Sequence, residues 1–122
     1  MKQRELDKIL HRHKGWLNSK NWGVKANLRG SNLEGANLRG ANLEYTTGII
    51  SFGPIGKSKR IGCAVMHENG PMIKLGCFWG NMKEAKNAIE IEYGKDSSYW
   101  KVVKACCDAL MEDDGELTEV EG

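Results

Sequence analysis

Residues 26–45 read ANLRG-SNLEG-ANLRG-ANLEY, so one five-residue pattern occurs four times without a gap. Each unit begins with Ala or Ser, continues with Asn and Leu, and carries Arg or Glu at its fourth position. The last unit ends in Tyr45, whereas the other three end in glycine. Self-similarity at a fixed period is the signature of a repeat architecture. The fold of the remaining chain therefore depends on how it packs against this repeat segment.

The motif resembles the pentapeptide-repeat family, whose fold is a right-handed, four-sided β-solenoid. The resemblance implies that one leucine of each unit points into the coil beside the small residues, namely Leu28, Leu33, Leu38 and Leu43. It also implies an outward set of charged residues, namely Arg29, Glu34, Arg39 and Glu44. Because Arg and Glu alternate in this outward set, the coil does not form the acidic face of a DNA mimic.

Four repeats make only one turn of a four-sided coil. Solenoids are stabilised by the stacking of successive turns, and about three or more repeating layers are normally needed. A single turn buries its leucines only if something covers both of its ends. We therefore expect residues 26–45 to dock on the rest of the chain or on a second copy of it.

A helix is predicted on the N-terminal side of the repeats, over residues 5–17. Helical spacing is followed by the apolar Leu6, Ile9 and Leu10 and by His13, with Trp16 and Leu17 just beyond, and Gly15 interrupts the pattern. The segment resembles the helix that precedes the repeats in many phage-encoded pentapeptide proteins. We expect it to cover the first end of the coil with its apolar face.

From Gly48 the period changes from five to two. Strands are predicted over residues 48–52, 60–67 and 72–78, with a turn at residues 68–71. Asn81 is a suitable N-cap for a helix that reaches Tyr93 and ends at Gly94. A second helix is predicted from about residues 96–98 to Met111. The sequence thus predicts an α+β fold: an N-terminal helix, a one-turn repeat stub, and an antiparallel meander packed by two helices.

These sequence patterns predict four segments of the chain. Residues 1–20 form the N-terminal capping helix, 21–47 the repeat stub, 48–111 the ligand-binding sheet with its helices, and 112–122 an acidic tail. The tail carries six acids and no base, which leaves 18 Lys and Arg against 10 Asp and Glu in residues 1–111. A net charge of +8 on this body attracts anions such as phosphates.

Alternation of side chains divides the predicted sheet into two faces. One set is apolar apart from His67 and is expected to meet the helices: Ile61, Cys63, Val65, His67, Ile73, Leu75 and Cys77. The other set holds small residues edged by bases: Arg60, Gly62, Ala64, Met66, Met72, Lys74, Gly76 and Phe78. Strand glycines often mark close approach of another group. This second face is expected to hold a planar phosphate-bearing ligand, or else the repeat stub or a second subunit.

The loop of residues 53–60, GPIGKSKR, supports an anion site beside that face. Glycines let backbone N–H groups converge on an anion, and three bases follow within four residues. The spacing is not that of a Walker A loop. In this interpretation Lys57 and Arg60 hold phosphates, Phe78 with Trp79 or Tyr99 stacks on a base, and Asn81 or Asn87 reads a polar edge. Lys101 and Lys104 add charge from the last helix, although Asn81 has an alternative role as a cap and Asn87 as a solvated helix position.

The motifs GPIG, GCFWG and Tyr99-Trp100 give residues 48–110 a resemblance to anti-Thoeris sponge proteins of phages and prophages. That resemblance implies a phage anti-defence protein, an oligomer in the host bacterial cytoplasm, that sequesters a cyclic ADP-ribose signal, or cyclic oligonucleotides, without catalysis. The alternatives are an interaction or oligomerisation module, a DNA mimic that acts on a host protein, and a nucleic-acid binder, which is the weakest of the three.

No enzyme is expected from this sequence. The three histidines and four cysteines form no metal-ligand spacing, and no nucleophile–base pair or paired carboxylates can be assembled. Each cysteine falls within an apolar pattern and is expected to be a buried free thiol: Cys63, Cys77, Cys106 and Cys107. No metal or cofactor is predicted. No membrane contact is predicted either, because no apolar run approaches the roughly 20 residues of a membrane span.

Overall fold

The repeat segment forms one turn of a coil whose corners are built by its asparagines and glycines. The computed structural model describes residues 1–55 and 59–121, with side chains as far as Glu112. In each unit the Asn side-chain oxygen accepts a hydrogen bond from the backbone N–H two residues later, at 2.9–3.0 Å. The glycines that end the first three units have φ between 69° and 76°, a conformation that glycine adopts without strain. The same motif thus makes the same corner four times.

The turn closes on itself after four units. Asn27 and Thr47, which are 20 residues apart, form a parallel bridge, and the backbone N–H of Leu28 donates to the carbonyl of Thr47 at 2.9 Å. All four outward charged residues are exposed. Leu28 and Leu33 are completely buried, and Leu38 and Leu43 are half-buried. The predicted inward and outward sets are therefore confirmed.

Helix α1, Gln3–Leu17, lies across one end of the coil. The Gln3 side chain donates to the Asn37 carbonyl at 3.0 Å and accepts from the Asn37 N–H at 2.8 Å. Near the other end of the helix, His13 is completely buried and contacts Ala26 and Glu44. Gly15 lies inside the helix, where a Cβ would approach the Trp22 ring to 2.3 Å. The predicted cover on the N-terminal side is confirmed, and Gly15 permits a close contact instead of ending the helix.

The other end of the coil docks on a four-stranded antiparallel sheet. Its strands, in spatial as well as chain order, are β1 Ile49–Ile55, β2 Arg60–His67, β3 Gly70–Leu75 and β4 Phe78–Asn81. Leu6, Leu28 and Leu33 form one apolar cluster with Ile49, Cys63 and Val65 of the sheet. The expectation that the stub must be covered at both ends is confirmed within one chain.

Two helices cover the opposite face of the sheet, as predicted. Helix α2, Met82–Tyr93, starts at a capping box in which Asn81 and Glu84 exchange hydrogen bonds at 2.8 and 3.0 Å. Helix α3, Ser98–Glu121, contributes Val103, Cys107 and Leu110 to the core. Its predicted end at Met111 is wrong, since the helix continues through residues assigned to the acidic tail. None of the helices among the described residues is both long and apolar enough to cross a bilayer.

The predicted division of the sheet into faces is wrong, because β3 pairs with β2 in a different register. Cys63 lies opposite Lys74, and Ala64 opposite Ile73. His67 and Gly70 are joined by a two-residue turn, so every odd-numbered residue of β2 pairs with an even-numbered residue of β3. Opposite residues in an antiparallel pair share a face. Ala64 and Ile73 therefore face the helices, whereas Cys63 and Lys74 face the repeat coil.

The end of β3 also differs from the prediction. The strand stops at Leu75, and Gly76 and Cys77 form a turn into β4, which the sequence pattern did not reveal. Gly76 has a φ of 61°, which suits glycine in a tight turn. Cys77 is consequently exposed and not buried, while Cys63 and Cys107 are buried and Cys106 is half-buried. The four thiols are free, as expected.

Candidate functional site

Part of the residue set predicted to hold a ligand is covered by the protein's own side chains. Ala64 is completely buried under α2 and α3, and a Cβ on Gly62 would lie 2.8 Å from the Phe52 ring. Phe78 packs against the same helical core. The space left beside Arg60 and Phe78 is about 30 Å³, which is room for about one water molecule. This space is too small for a nucleotide, and Phe78 is half-buried against the helical core. Its stacking on a base stays a prediction.

The other predicted binding residues are not brought together. Arg60 pairs with Glu92 at 3.4 Å, and the buried Tyr99 stacks on Tyr93 with ring centroids 4.0 Å apart. Trp79 lies on the opposite face of the sheet, edge-on to His67. The other predicted binding residues belong to α2 and α3 or cap them. Asn81 is the N-cap of α2, and Asn87 and Lys101 are exposed on the two helices. Lys104 of α3 pairs with Asp108. Lys57 lies outside the described residues.

A larger cavity occurs on the other side of the sheet, where the repeat coil meets it. Its volume is about 420 Å³. The coil contributes its third and fourth repeats to the wall, with Leu38, Arg39 and Leu43 among them. Strands β1 to β3 and the following turn contribute Ser51, Ile61, Gly62, Cys63, Lys74 and Gly76. We refer to this space as the junction cavity.

The junction cavity exists because the sheet covers the coil unevenly. The first half of the coil is held against the sheet by two short hydrogen bonds, from Gly30 N–H to the Met66 carbonyl at 2.7 Å and between His67 and the Ser31 carbonyl at 2.8 Å. Leu28 and Leu33 are sealed there. No such bond joins the third or fourth repeat to the sheet within the described part of the chain. Leu38 and Leu43 therefore line open space.

The electrostatics of the junction cavity favour an anion. Arg39 and Lys74 are the charged residues of its wall, and the wall contains no carboxylate. Neither cation has an ion-pair partner among the residues that the structure describes. The Lys74 ammonium donates a hydrogen bond to the Gly76 carbonyl at 3.2 Å, which holds the ammonium beside the turn that follows β3. The site thus combines an apolar wall with two positive charges.

Cys63 is the residue in this wall with potential nucleophilic chemistry. Burial raises its pKa to about 11, and the nearby Lys74 lowers it by a smaller amount. The thiolate is the reactive form of cysteine, so the protonated Cys63 thiol is unreactive at neutral pH. The wall also contains no histidine, and no group of three potential metal ligands occurs among the described residues. The cavity is suited to binding and lacks a recognisable acid–base pair.

The predicted site and the junction cavity both combine positive charge with small and apolar residues, but they have few residues in common. Gly62, Lys74 and Gly76 belong to both, because the residue set predicted to bind a ligand combined residues from the two faces of the sheet. Arg39 was expected to point outward, and its place in the same cavity wall as Lys74 depends on how the coil docks on the sheet. A signal that could have indicated the correct face is the two-residue turn at Glu68-Asn69, which fixes the register of β2 and β3.

Comparison with known proteins identifies the repeat segment. A family model described as pentapeptide repeats (8 copies) matches residues 24–47. This match agrees with the coil geometry and with the motif in residues 26–45. Searches of curated proteins and of solved structures gave no significant match.

Proposed function

We propose that this protein is a non-catalytic binding protein that captures a small phosphate-bearing molecule of the nucleotide class in the junction cavity. The single observation that carries the proposal is the meeting of Arg39, from the coil, with Lys74, from the sheet, at the wall of one cavity. Small-molecule sites are typically concave, largely apolar, and about 300–1,000 Å³ in volume. The junction cavity, at about 420 Å³, falls within this range.

The chemistry of the wall supports a ligand with a flat apolar part and an anionic part. Leu38, Leu43 and Ile61 offer apolar surface, and Ile61 is 67% exposed. Arg39 offers a planar guanidinium that can bind a phosphate through two hydrogen bonds. Lys74 offers a compact second charge. A nucleotide combines these features, with its base against the leucines and its phosphate between the two cations.

A more specific proposal follows from the sequence resemblance described above. In it, the protein is a phage anti-defence protein and the ligand is a cyclic ADP-ribose isomer made by a bacterial TIR enzyme. Cyclic oligonucleotides are the second ligand class to test. Sequestration requires tight binding without turnover, which agrees with a cavity that holds two cations and a protonated thiol.

The test is calorimetric titration of the full chain with cyclic ADP-ribose, a cyclic dinucleotide, AMP and inorganic phosphate. A charge-assisted hydrogen bond contributes about 1.5–3 kcal/mol, so Arg39→Gln and Lys74→Gln should each weaken binding by about tenfold or more. Ser51→Phe, which places a ring from an exposed strand position into the cavity, should block binding. Heat release and mass spectrometry of material trapped from lysates containing the TIR product then identify the ligand.

Two variants act as matched controls for charge. Arg29→Gln removes the equivalent residue of the first repeat, and Lys83→Gln removes an exposed lysine of α2; neither residue lines the cavity. Both should bind ligand as the unmodified chain does. Equal losses in the control and cavity variants would contradict the cavity assignment. A complete lack of response to every nucleotide would refute the proposed function and favour an interaction module.

A further inference from the structure

A second surface, separate from the junction cavity, carries exposed aromatic rings. Trp16, Trp22 and Tyr45 have exposed fractions of 39%, 49% and 72%. Trp16 contacts Tyr45 edge-on with ring centroids 6.3 Å apart, while Trp22 lies against Gly15, the neighbour of Trp16. We refer to these three residues as the aromatic ridge. Exposed clusters of large aromatic side chains are uncommon on soluble domains and mark interaction sites.

Tyr45 is held in a conformation that its side chain disfavours. Its φ is 62°, in the left-handed region, and it occupies the position where the other three repeats have glycine. The ring is exposed to 72%, so it gains little from burial in the protein. A strained non-glycine residue that packs weakly points to a functional role. Tyr45 contacts Trp16 edge-on, and most of its side chain remains available to a binding partner.

The segment that carries Trp16 and Trp22 is strongly basic. Residues 1–25 contain seven Lys and Arg against two Asp and Glu, a balance of +5. Four of these bases are exposed near the ridge in sequence: Arg12, Lys14, Lys20 and Lys25. The Lys25 ammonium lies 5.5 Å from the centre of the Trp16 ring, and His11 stacks on Trp22 at 4.9 Å. The aromatic ridge thus has one cation directly over a ring, and three more exposed bases lie in the same segment.

We infer that the aromatic ridge binds single-stranded nucleic acid. Sequence-tolerant single-strand sites combine a basic surface, which follows the phosphates, with aromatic rings on which successive bases stack. Tyr45 and Trp22 provide the most exposed rings, and the four neighbouring bases provide the phosphate contacts. Duplex bases are already stacked and cannot use these rings, so a single strand is the occupant that the geometry favours. This inference is independent of the junction cavity.

The test uses fluorescence anisotropy of a labelled oligothymidylate of about 12 nucleotides, a length within the range of single-strand sites. The full chain should bind it more tightly than a duplex of the same length. The logarithm of the association constant should fall with the logarithm of salt concentration with a slope of about −3, as expected for four phosphate contacts. Quenching of tryptophan fluorescence should accompany binding.

Tyr45→Gly is the decisive variant. It removes the ring and restores the residue found in the other three repeats, so folding should be preserved, and thermal unfolding verifies this. Loss of one stacked base should weaken binding about tenfold. Lys25→Gln should reduce the salt slope by about 0.7, whereas Lys83→Gln, on α2, should leave both affinity and slope unchanged.

Three results would overturn the inference. One is the absence of binding at low salt, and another is unchanged affinity of Tyr45→Gly. The third is equal affinity for duplex and single strand, because that would show attraction by charge without stacking. If sedimentation instead shows self-association that Tyr45→Gly abolishes, the aromatic ridge is an interface between protein copies and the nucleic-acid assignment is wrong.

Discussion

The buried imidazole of His13 connects α1 by hydrogen bonds to both ends of the repeat segment. Its removal should lower the free energy of unfolding substantially. The Ala26 N–H donates to Nδ1 at 3.0 Å, so Nδ1 is the acceptor and the proton lies on Nε2. Nε2–H in turn donates to the Glu44 carbonyl at 2.7 Å, with the Thr46 hydroxyl at 3.2 Å. One side chain thus joins the first repeat to the last.

The expected loss in His13→Ala follows from these contacts. The Ala26 N–H, whose hydrogen bond is buried, and the Glu44 carbonyl, whose hydrogen bond is partly buried, both lose their partner. A buried unpaired group costs about 1–3 kcal/mol, so the Ala26 N–H accounts for most of this part of the loss. The missing ring leaves a cavity, because the residue is completely buried, and that adds to the loss. A total of about 3–5 kcal/mol is expected, a large share of the roughly 5–15 kcal/mol by which domains are stable. At about 4 °C per kcal/mol, the Tm should fall by about 15 °C.

The measurement is thermal and urea unfolding followed by circular dichroism. His11→Ala is the matched control, because His11 is an exposed histidine of the same helix. Its loss should stay near that of an ordinary surface substitution, about 0.5 kcal/mol. His13→Gln, which keeps one donor and one acceptor, should recover part of the stability. If His13→Ala and His11→Ala unfold at the same temperature, His13 does not tie the helix to the coil.

Three further predictions concern the core, the helix cap and the thiols. Leu33→Ala should cost about 2–5 kcal/mol in urea unfolding, and Leu43→Ala clearly less because it borders the junction cavity; equal losses would show that the coil is evenly covered. Asn81→Ala should cost about 0.5–2 kcal/mol by removing the capping box, and a stability change near zero in the same assay would contradict that role. Cys77 should react with a thiol reagent at pH 8 in the folded protein, and Cys63 should not. Since burial raises the Cys63 pKa to about 11, the free energy of unfolding should fall as pH rises from about 9 towards 11, and a flat profile over that range would contradict the burial of this thiol.

The architecture was largely predictable from local patterns. The repeat period identified the coil, and the shortness of one turn required cover at both ends, which α1 and the sheet provide. The capping residue Asn81 marked the start of α2 correctly. These features depend on neighbours within a few residues, so the sequence records them directly. The family match to residues 24–47 agrees with the same motif.

The candidate site was less predictable, because it depends on register and docking. A shift of one residue in strand pairing moves every side chain to the opposite face. Ala64, which the pattern placed on an open surface, is therefore buried under the helices, and Phe78 packs against the same core. Arg39 and Lys74 line one cavity from separate elements, and no short pattern encodes that arrangement. His13 shows a similar limit, since helical spacing indicated its burial but not its two hydrogen bonds.

The single closure between Asn27 and Thr47 has a consequence for how this architecture could vary in length. Successive strands of a β-structure lie about 4.8 Å apart, so inserting one more full circuit of 20 residues would separate α1 from the sheet by that distance while preserving their relative orientation. Any other insertion would rotate one against the other. A second circuit would give Leu38 and Leu43 leucine partners, and the leucines of the added circuit would then border the space beside the sheet. The cavity would therefore move with the last circuit, because uneven cover by the sheet creates it.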